Sequence, residues 1–179
     1  MVYTGCRTSE AAGLTCGDVV LEGNLPYIRF APNNLRGLDK GSLTRNFPIP
    51  GPLLDHLREH KQSLDHASQS ADYAEKPFFG RYGPTNAYDN VSNQLRDIVR
   101  NKMGIKDTSL VPYSTRHTFK DRGRASGVSP SVYDYLQGHV TSQTSRIAQG
   151  YGTGFPLESL VGDVDKILPT KDWGNTVSS

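Results

Sequence analysis

The chain has 179 residues, enough for one domain with a genuine core and short for two. Apolar residues make up 35% of it, and no window approaches the roughly 18 consecutive apolar residues of a membrane span, which excludes a membrane-spanning helix. The net charge is only +2, yet the stretch 96–124 holds eight cations (Arg96, Arg100, Lys102, Lys106, Arg116, Lys120, Arg122, Arg124) against three anions (Asp97, Asp107, Asp121), the electrostatic footprint of a phosphate-backbone binder.

Cys6 and Cys16 show no CxxC pairing and read as reduced thiols of a cytoplasmic protein. No basic and then apolar leader follows Met1. In chain order, Thr8 or Ser9 is placed to cap a short helix through Glu10, Ala11, Ala12 and Leu14, with Gly17 marking a turn. The β-branched and aromatic residues of 18–30, around Gly23-Asn24, predict a hairpin. A second hairpin is predicted at 37–41, continuing into Arg45-Asn46-Phe47-Pro48. Pro52 opens a helix to about His66, with Leu53, Leu54, Leu57 and Leu64 on one side. The polar run 67–76 reads as an exposed loop.

A helix over 86–103 follows, with Val91, Leu95, Ile98, Val99 and Met103 on one face and Arg96, Arg100 and Lys102 on the other. Thr115 is the expected N-cap of a helix over 116–126 ended by Gly127, and Ser129-Pro130 restarts another to Gly138. Tyr133 and Tyr135 are expected in the core. The run 156–168 carries an apolar stripe of Leu157, Leu160, Val161, Val164 and Ile167, expected to dock in cis or in trans, and 171–179 reads as a flexible tail. The expectation is a single α+β domain over 1–179, mainly helical, with an antiparallel sheet of about three strands.

The chemistry concentrates in 113–151, where arginines, histidines and Tyr151 stand among glycines and helix signals. A tyrosine phenol, with an unperturbed pKa of about 10, is a poor nucleophile. Cations around a phosphate favour the phenolate and stabilise charge building on phosphorus, and arginine grips two phosphate oxygens at once. Arg7, Lys40, Arg116, His139 and Tyr151 would form such a set.

TGCRTSEAAGLTCGDV resembles the first arginine motif of tyrosine recombinases, the phage-integrase family. KGSLTRNFPIP resembles that family's β-hairpin lysine segment, YSTRHTF its H-x-x-R-H box, QGH its L-G-H step and QGYGTG its nucleophile segment, in the family's order over nearly the whole chain. The resemblance implies the catalytic fold of DNA breaking-rejoining enzymes. It implies that Arg7 and Arg116 clamp the scissile phosphate, Glu10 supports the cluster, Lys40 is general acid to the 5′-oxygen, His139 hydrogen-bonds a non-bridging oxygen and Tyr151 attacks phosphorus. Arg96, Arg100, Lys102, Lys120, Arg122 and Arg124 would hold the DNA backbone. Double-stranded DNA is then the partner, with self-association into a tetrameric synapse through the C-terminal segment, and neither metal nor nucleotide is required. A bacterial or phage-encoded integrase is the expected type.

Two features depart from the pattern. Tyr113 stands where the family usually has histidine and can donate a hydrogen bond without serving as a neutral-pH base. The family also carries further helices and a core-binding domain before the first arginine, so the chain is expected to correspond to a C-terminal catalytic part.

Each residue has a plainer reading. Arg7 could lie on the surface with Glu10 as a capping partner, and Lys40 could be a turn lysine, with Arg36 or Arg45 as the cation at the site. His139 could cap a helix, Tyr151 could be a loop aromatic, and His117 reads as structural. Two rival functions stand beside strand cleavage. One is a DNA-binding module with impaired catalysis, motivated by Tyr113. The other is a zinc protease, because His56-Leu57-Arg58-Glu59-His60 fits H-x-x-E-H.

Overall fold

The computed structural model describes residues 1–39, 42–64, 71–79, 87–142, 144 and 154–168. Strands β1 (Val19–Val20), β2 (Tyr27–Phe30) and β3 (Arg45–Pro48) form an antiparallel sheet in chain order, with Val19 opposite Ile28 and Ile28 opposite Phe47. In β2, Ile28 and Phe30 point into the core while Arg29 points out, the alternation that a one-sided sheet requires. The three-stranded sheet and the first hairpin agree with the sequence reading, whereas β2 and β3 are joined by the longer connection 31–44 and part of the predicted 37–41 turn lies outside the described residues.

Helix α1 (Thr8–Ala12) precedes the sheet, and α2 (Gly51–Leu64) follows it with Leu57 buried and Leu53, Leu54 and Leu64 partly covered. The predicted end of α2 at His66 lies outside the described residues. Arg7, rather than Thr8 or Ser9, occupies the N-cap position of α1, because Glu10 reaches back to the Arg7 backbone N–H at 2.8 Å and replaces a hydroxyl cap. Part of the predicted loop is a 3₁₀ turn, Tyr73–Glu75, tied in where Cys16 N donates to Lys76 O at 2.9 Å and Phe78 N to Leu14 O at 2.8 Å. These backbone bonds order a polar segment that composition alone marks as solvated.

Helix α3 (Ala87–Asp97) widens into a π-helical stretch, Ile98–Lys102, closed by Met103 N donating to Ile98 O at 2.9 Å. The expected uninterrupted helix thus changes its pitch at Ile98. Its apolar stripe is only partly covered: Val91, Leu95 and Val99 are half-buried, whereas Ile98 is 39% and Met103 62% exposed.

Helix α4 (Ser114–Ala125) starts two residues earlier than predicted, so Thr115 is a helical residue whose hydroxyl bonds back to Pro112 O at 2.8 Å instead of capping. Helix α5 (Pro130–Gln137) has Ser129 at its N-cap and Gly138 in the left-handed region beyond its end. Helix α6 (Leu157–Ile167) buries Leu160, Val164 and Ile167 against β3 and α4, which places its stripe in cis. An isolated helix of this length is marginal in water, whereas each buried aliphatic side chain contributes about 1.5–3 kcal/mol, so packing decides its stability. Phe30, Phe47, Phe119, Leu136 and Tyr135 complete the core. No helix among the described residues is long and apolar enough to cross a membrane.

Candidate functional site

The Thr4-Gly5-Cys6-Arg7 segment turns on Gly5, whose φ of +59° suits glycine and whose Cβ would lie 2.7 Å from the Phe119 ring. The turn directs the Gly5 carbonyl at Arg116 and leads Arg7 into α1. Glu10, fixed by its bond to the Arg7 N–H, meets Arg45 from β3 in a bidentate pair of 2.9 and 3.1 Å. Arg45 also donates to Leu136 O (2.8 Å) and Leu43 O (3.2 Å) and lies 4.4 Å over the Phe30 ring, so it is a fully engaged structural cation. Burial acts to raise the Glu10 carboxyl, but the charge and hydrogen bonds of Arg45, with the Arg7 N–H, outweigh it and hold the group below the ordinary carboxylate range.

Arg36, the other alternative to Lys40, is likewise committed to structure. It pairs with buried Asp18 at 3.3 Å and donates to the carbonyls of Glu10, Ala31 and Arg29. Lys40 itself lies outside the described residues.

Arg7 keeps its side chain partly open. Its Nη1 donates to Ser42 Oγ at 2.6 Å, its Nε lies 3.3 Å from Asp39, and Glu10 is 4.0 Å away. Arg7, Thr8, Ser9, Asp39 and Tyr113 line a cleft of about 340 Å³. Tyr113 is 47% exposed and meets His117 edge-on at 5.1 Å.

Arg116 is 2% exposed and extends from the first turn of α4. Its Nη1 donates to Gly5 O at 2.7 Å, whereas Nε and Nη2 have no hydrogen-bond partner among the described residues. Burial pushes this guanidinium below its usual value, and the charges of Arg7 and Arg45 add to the effect while Glu10 and Tyr113 oppose it. Three guanidinium groups therefore share one buried carboxylate. An unsatisfied buried donor costs on the order of 1–3 kcal/mol, more when charged, so such a cluster favours an anionic acceptor.

His139 reaches the cluster through the end of α5. Gly138, at φ +74°, lets His139 N return to Asp134 O at 2.8 Å, and a Cβ at Gly138 would clash with Arg45 Nη1. Leu43 N donates to Gly138 O at 3.1 Å, and a β-bridge joins Ser42 to His139, so the hairpin arm and the end of α5 are pinned together. The His139 Nδ1 lies 3.4 Å from Asp134 Oδ1. Burial, then the charge of Arg116, lowers the imidazole from its ordinary value, while Asp134 opposes.

Of the predicted set, Arg7, Glu10, Tyr113, Arg116 and His139 are described and lie around one cluster, and Tyr151 falls outside the described residues. Thr144 donates to His139 O at 2.8 Å before the segment carrying Tyr151, and Phe155 packs on Tyr135 at 5.1 Å after it. Sequence reasoning missed Ser42, Asp39, Asp134 and Gln137, whose Nε2 donates to Arg116 O at 2.6 Å. Asp134 had a readable signal, since it lies five residues before the histidine of a Gly-His step at a helix end and is thereby brought under that histidine. Gln137 had none.

The cations expected to hold DNA differ in availability. Lys120 pairs with Asp134 at 2.8 Å, Arg124 with Asp121 at 3.1 Å, and Arg96 bonds Asn93 at 3.0 Å. Arg100 donates to Ile105 O and Leu110 O, and Arg122 to Val2 O. Lys102 is exposed at the end of the π-helical stretch. In the zinc-like pattern, His60 Nε2 donates to Phe78 O at 2.9 Å and its ring packs on Phe78 and Phe79 at 5.0 and 5.3 Å, so this is a structural histidine. The described residues hold no cluster of three metal-ligating side chains.

No protein-family model and no curated protein matches this sequence. Among solved structures, the chain is similar to the crystal structure of XerA recombinase, with a TM-score of 0.58 and 21% identity over 94% of this chain and 56% of that one. The chain thus spans little more than half the length of the recombinase it resembles. Its α+β architecture, helices around a three-stranded antiparallel sheet, is the fold of that part of the XerA recombinase.

Proposed function

We propose that this chain cleaves and rejoins DNA strands through a 3′-phosphotyrosyl intermediate. The observation that carries the reading is the buried Arg116, with two donors lacking a partner among the described residues, beside the partly open Arg7 and the buried carboxylate Glu10. The fold shared with a recombinase supports it. In this reading Arg7 and Arg116 hold the scissile phosphate, and Glu10, neutralised mainly by Arg45, keeps the cluster assembled. The Tyr151 phenolate attacks phosphorus, the bond to the 5′-oxygen breaks, and Lys40 gives that oxygen its proton. His139 donates to a non-bridging oxygen; with Nδ1 turned to Asp134, its Nε2 gains the hydrogen for this when the ring binds a proton as the phosphate arrives. A phosphate between His139 and Arg116 favours that protonation, because it offsets the repulsion that Arg116 exerts on the imidazolium. The reverse attack by a 5′-hydroxyl reseals a strand without a metal or nucleotide.

Tyr113 supplies a phenol in the cleft where it can donate to the same phosphate but not act as base. That feature favours a second reading, a DNA-binding module with impaired catalysis. Asp39, 3.3 Å from Arg7, is an anion that the incoming phosphate must displace or share. We read the chain as part of an integrase of a phage or mobile element that self-associates on DNA. The apolar stripe of α6 is already buried in cis, so a contact between protomers falls to other residues.

A nicked suicide duplex tests the reading. Incubation should yield an SDS-resistant protein–DNA adduct that is absent in Tyr151→Phe. Salt-sensitive DNA binding without adduct in the parent chain would instead establish the binding module.

A further inference from the structure

The sharp return at the end of α5 brings together Asp134, Lys120 and His139, of which the strand-transfer scheme uses only His139. Asp134 sits on the last turn of α5 and is largely buried. Its Oδ1 accepts Lys120 Nζ from α4 at 2.8 Å and faces His139 Nδ1 at 3.4 Å. The backbone enforces this meeting, because Gly138 takes the left-handed conformation and His139 N bonds to Asp134 O, five residues back. Lys120 is held in turn by the Tyr133 ring, 5.4 Å below its ammonium.

We propose that Asp134, braced by Lys120, is a positioning residue that fixes the tautomer and orientation of His139 at the arginine cluster. A carboxylate only accepts, so His139 Nδ1 must carry the hydrogen that it shares with Asp134. Nε2, which has no hydrogen-bond partner among the described residues, is then the nitrogen left for a ligand. A neutral ring offers a lone pair there, and an imidazolium offers an N–H to an anion. The charged groups facing His139 among the described residues are Asp134 from α5 and Lys120 and Arg116 from α4. On the hairpin side the neighbour is Ser42, which is uncharged and bonded to Arg7. Asp134 favours the imidazolium, whereas Lys120 and Arg116 oppose it. The catalytic meaning of this arrangement rests on the strand-transfer reading above, but the tautomer itself does not.

The test uses the full 179-residue chain, labelled with nitrogen-15, and long-range proton–nitrogen correlation of the His139 ring. Near neutral pH the parent protein should show Nδ1 protonated and Nε2 bare. Asp134→Asn should admit the Nε2–H tautomer and lower the His139 midpoint. Lys120→Met should keep the tautomer and raise the midpoint, which separates a specific role from general loss of structure. An Nε2–H tautomer in the parent chain, an unchanged tautomer in Asp134→Asn, or shifts of the same sign in both variants would overturn the proposal. In the suicide-duplex assay Asp134→Asn should lower the adduct-forming rate about tenfold, the usual scale for removing a residue that orients a functional histidine, with the DNA concentration for half-saturation nearly unchanged. If the tautomer behaves as expected and the parent chain forms no adduct, the strand-transfer reading fails and the positioning assignment stands.

Discussion

The arginine cluster and the face of α3 break the usual inside-outside rule in opposite directions. In the cluster, Arg45, Arg116 and Glu10 are buried charges. On α3 and its π-helical extension, Ile98 and Met103 are exposed apolar groups beside Val2, Leu110 and Val111, around an open groove of about 630 Å³. The difference lies in compensation. Arg45 and Glu10 satisfy one another and the backbone, so their burial is tolerable, whereas Arg116 retains two buried nitrogens without a hydrogen-bond partner among the described residues. The groove has no such internal balance, since exposed carbon gains nothing from nearby donors. Buried charge held this firmly marks a built site, whereas an apolar face with nothing seated on it says little about its occupant.

Substitutions on the two sides should sharpen the contrast. The largest effect is expected for Glu10→Ala, which leaves Arg45 buried without its counter-ion and should remove about 3–5 kcal/mol of stability in a denaturant titration. The same carboxylate sets an acid dependence. Its folded pKa is depressed, so its contribution is fully present above the unfolded carboxylate's titration and is lost as pH falls through the lower folded value. Glu10→Gln should flatten that acid-side slope.

Next comes Arg116→Lys, which keeps a charge but loses the fork. Adduct formation should drop roughly 100- to 1000-fold. Stability should change less than in Glu10→Ala, because no carboxylate lies within ion-pair distance of Arg116 among the described residues. Equal stability losses in the two variants would mean that Arg116 is as structural as Arg45 and would erase the distinction. The smallest effect is expected for Met103→Ser in the groove. A side chain 62% exposed should change stability by less than about 0.5 kcal/mol in the isolated chain.

Much of the site was legible because its parts sit on local signals. Gly5 before Arg7, Glu10 three residues after it, and Gly138 before His139 each mark a backbone conformation that short-range rules dictate. Asp134 belongs to the same class, since a helix end closed by Gly-His returns the histidine over the residue five positions back. The roles of the cations were not legible. Arg36, Arg45 and Lys40 lie within one short stretch, and nothing local says that Arg36 turns to Asp18 and Arg45 to Glu10. The DNA-facing list was blurred for the same reason, because Arg100 and Arg122 donate to backbone carbonyls that sequence pattern cannot place.

The sequence by itself determined the order of the elements, the small antiparallel sheet and the glycine-closed helix ends at Gly127 and Gly138, because periodicity and glycine act over a few residues. Only the tertiary structure decided which arginine is committed to the core, that α6 covers β3 and α4 within the same chain, and that the stripe of α3 faces outward at Ile98 and Met103. Those outcomes depend on which distant carboxylate, carbonyl or apolar face arrives opposite each side chain. A guanidinium can satisfy its donors in many ways, so its partner is chosen by the packing of the whole domain.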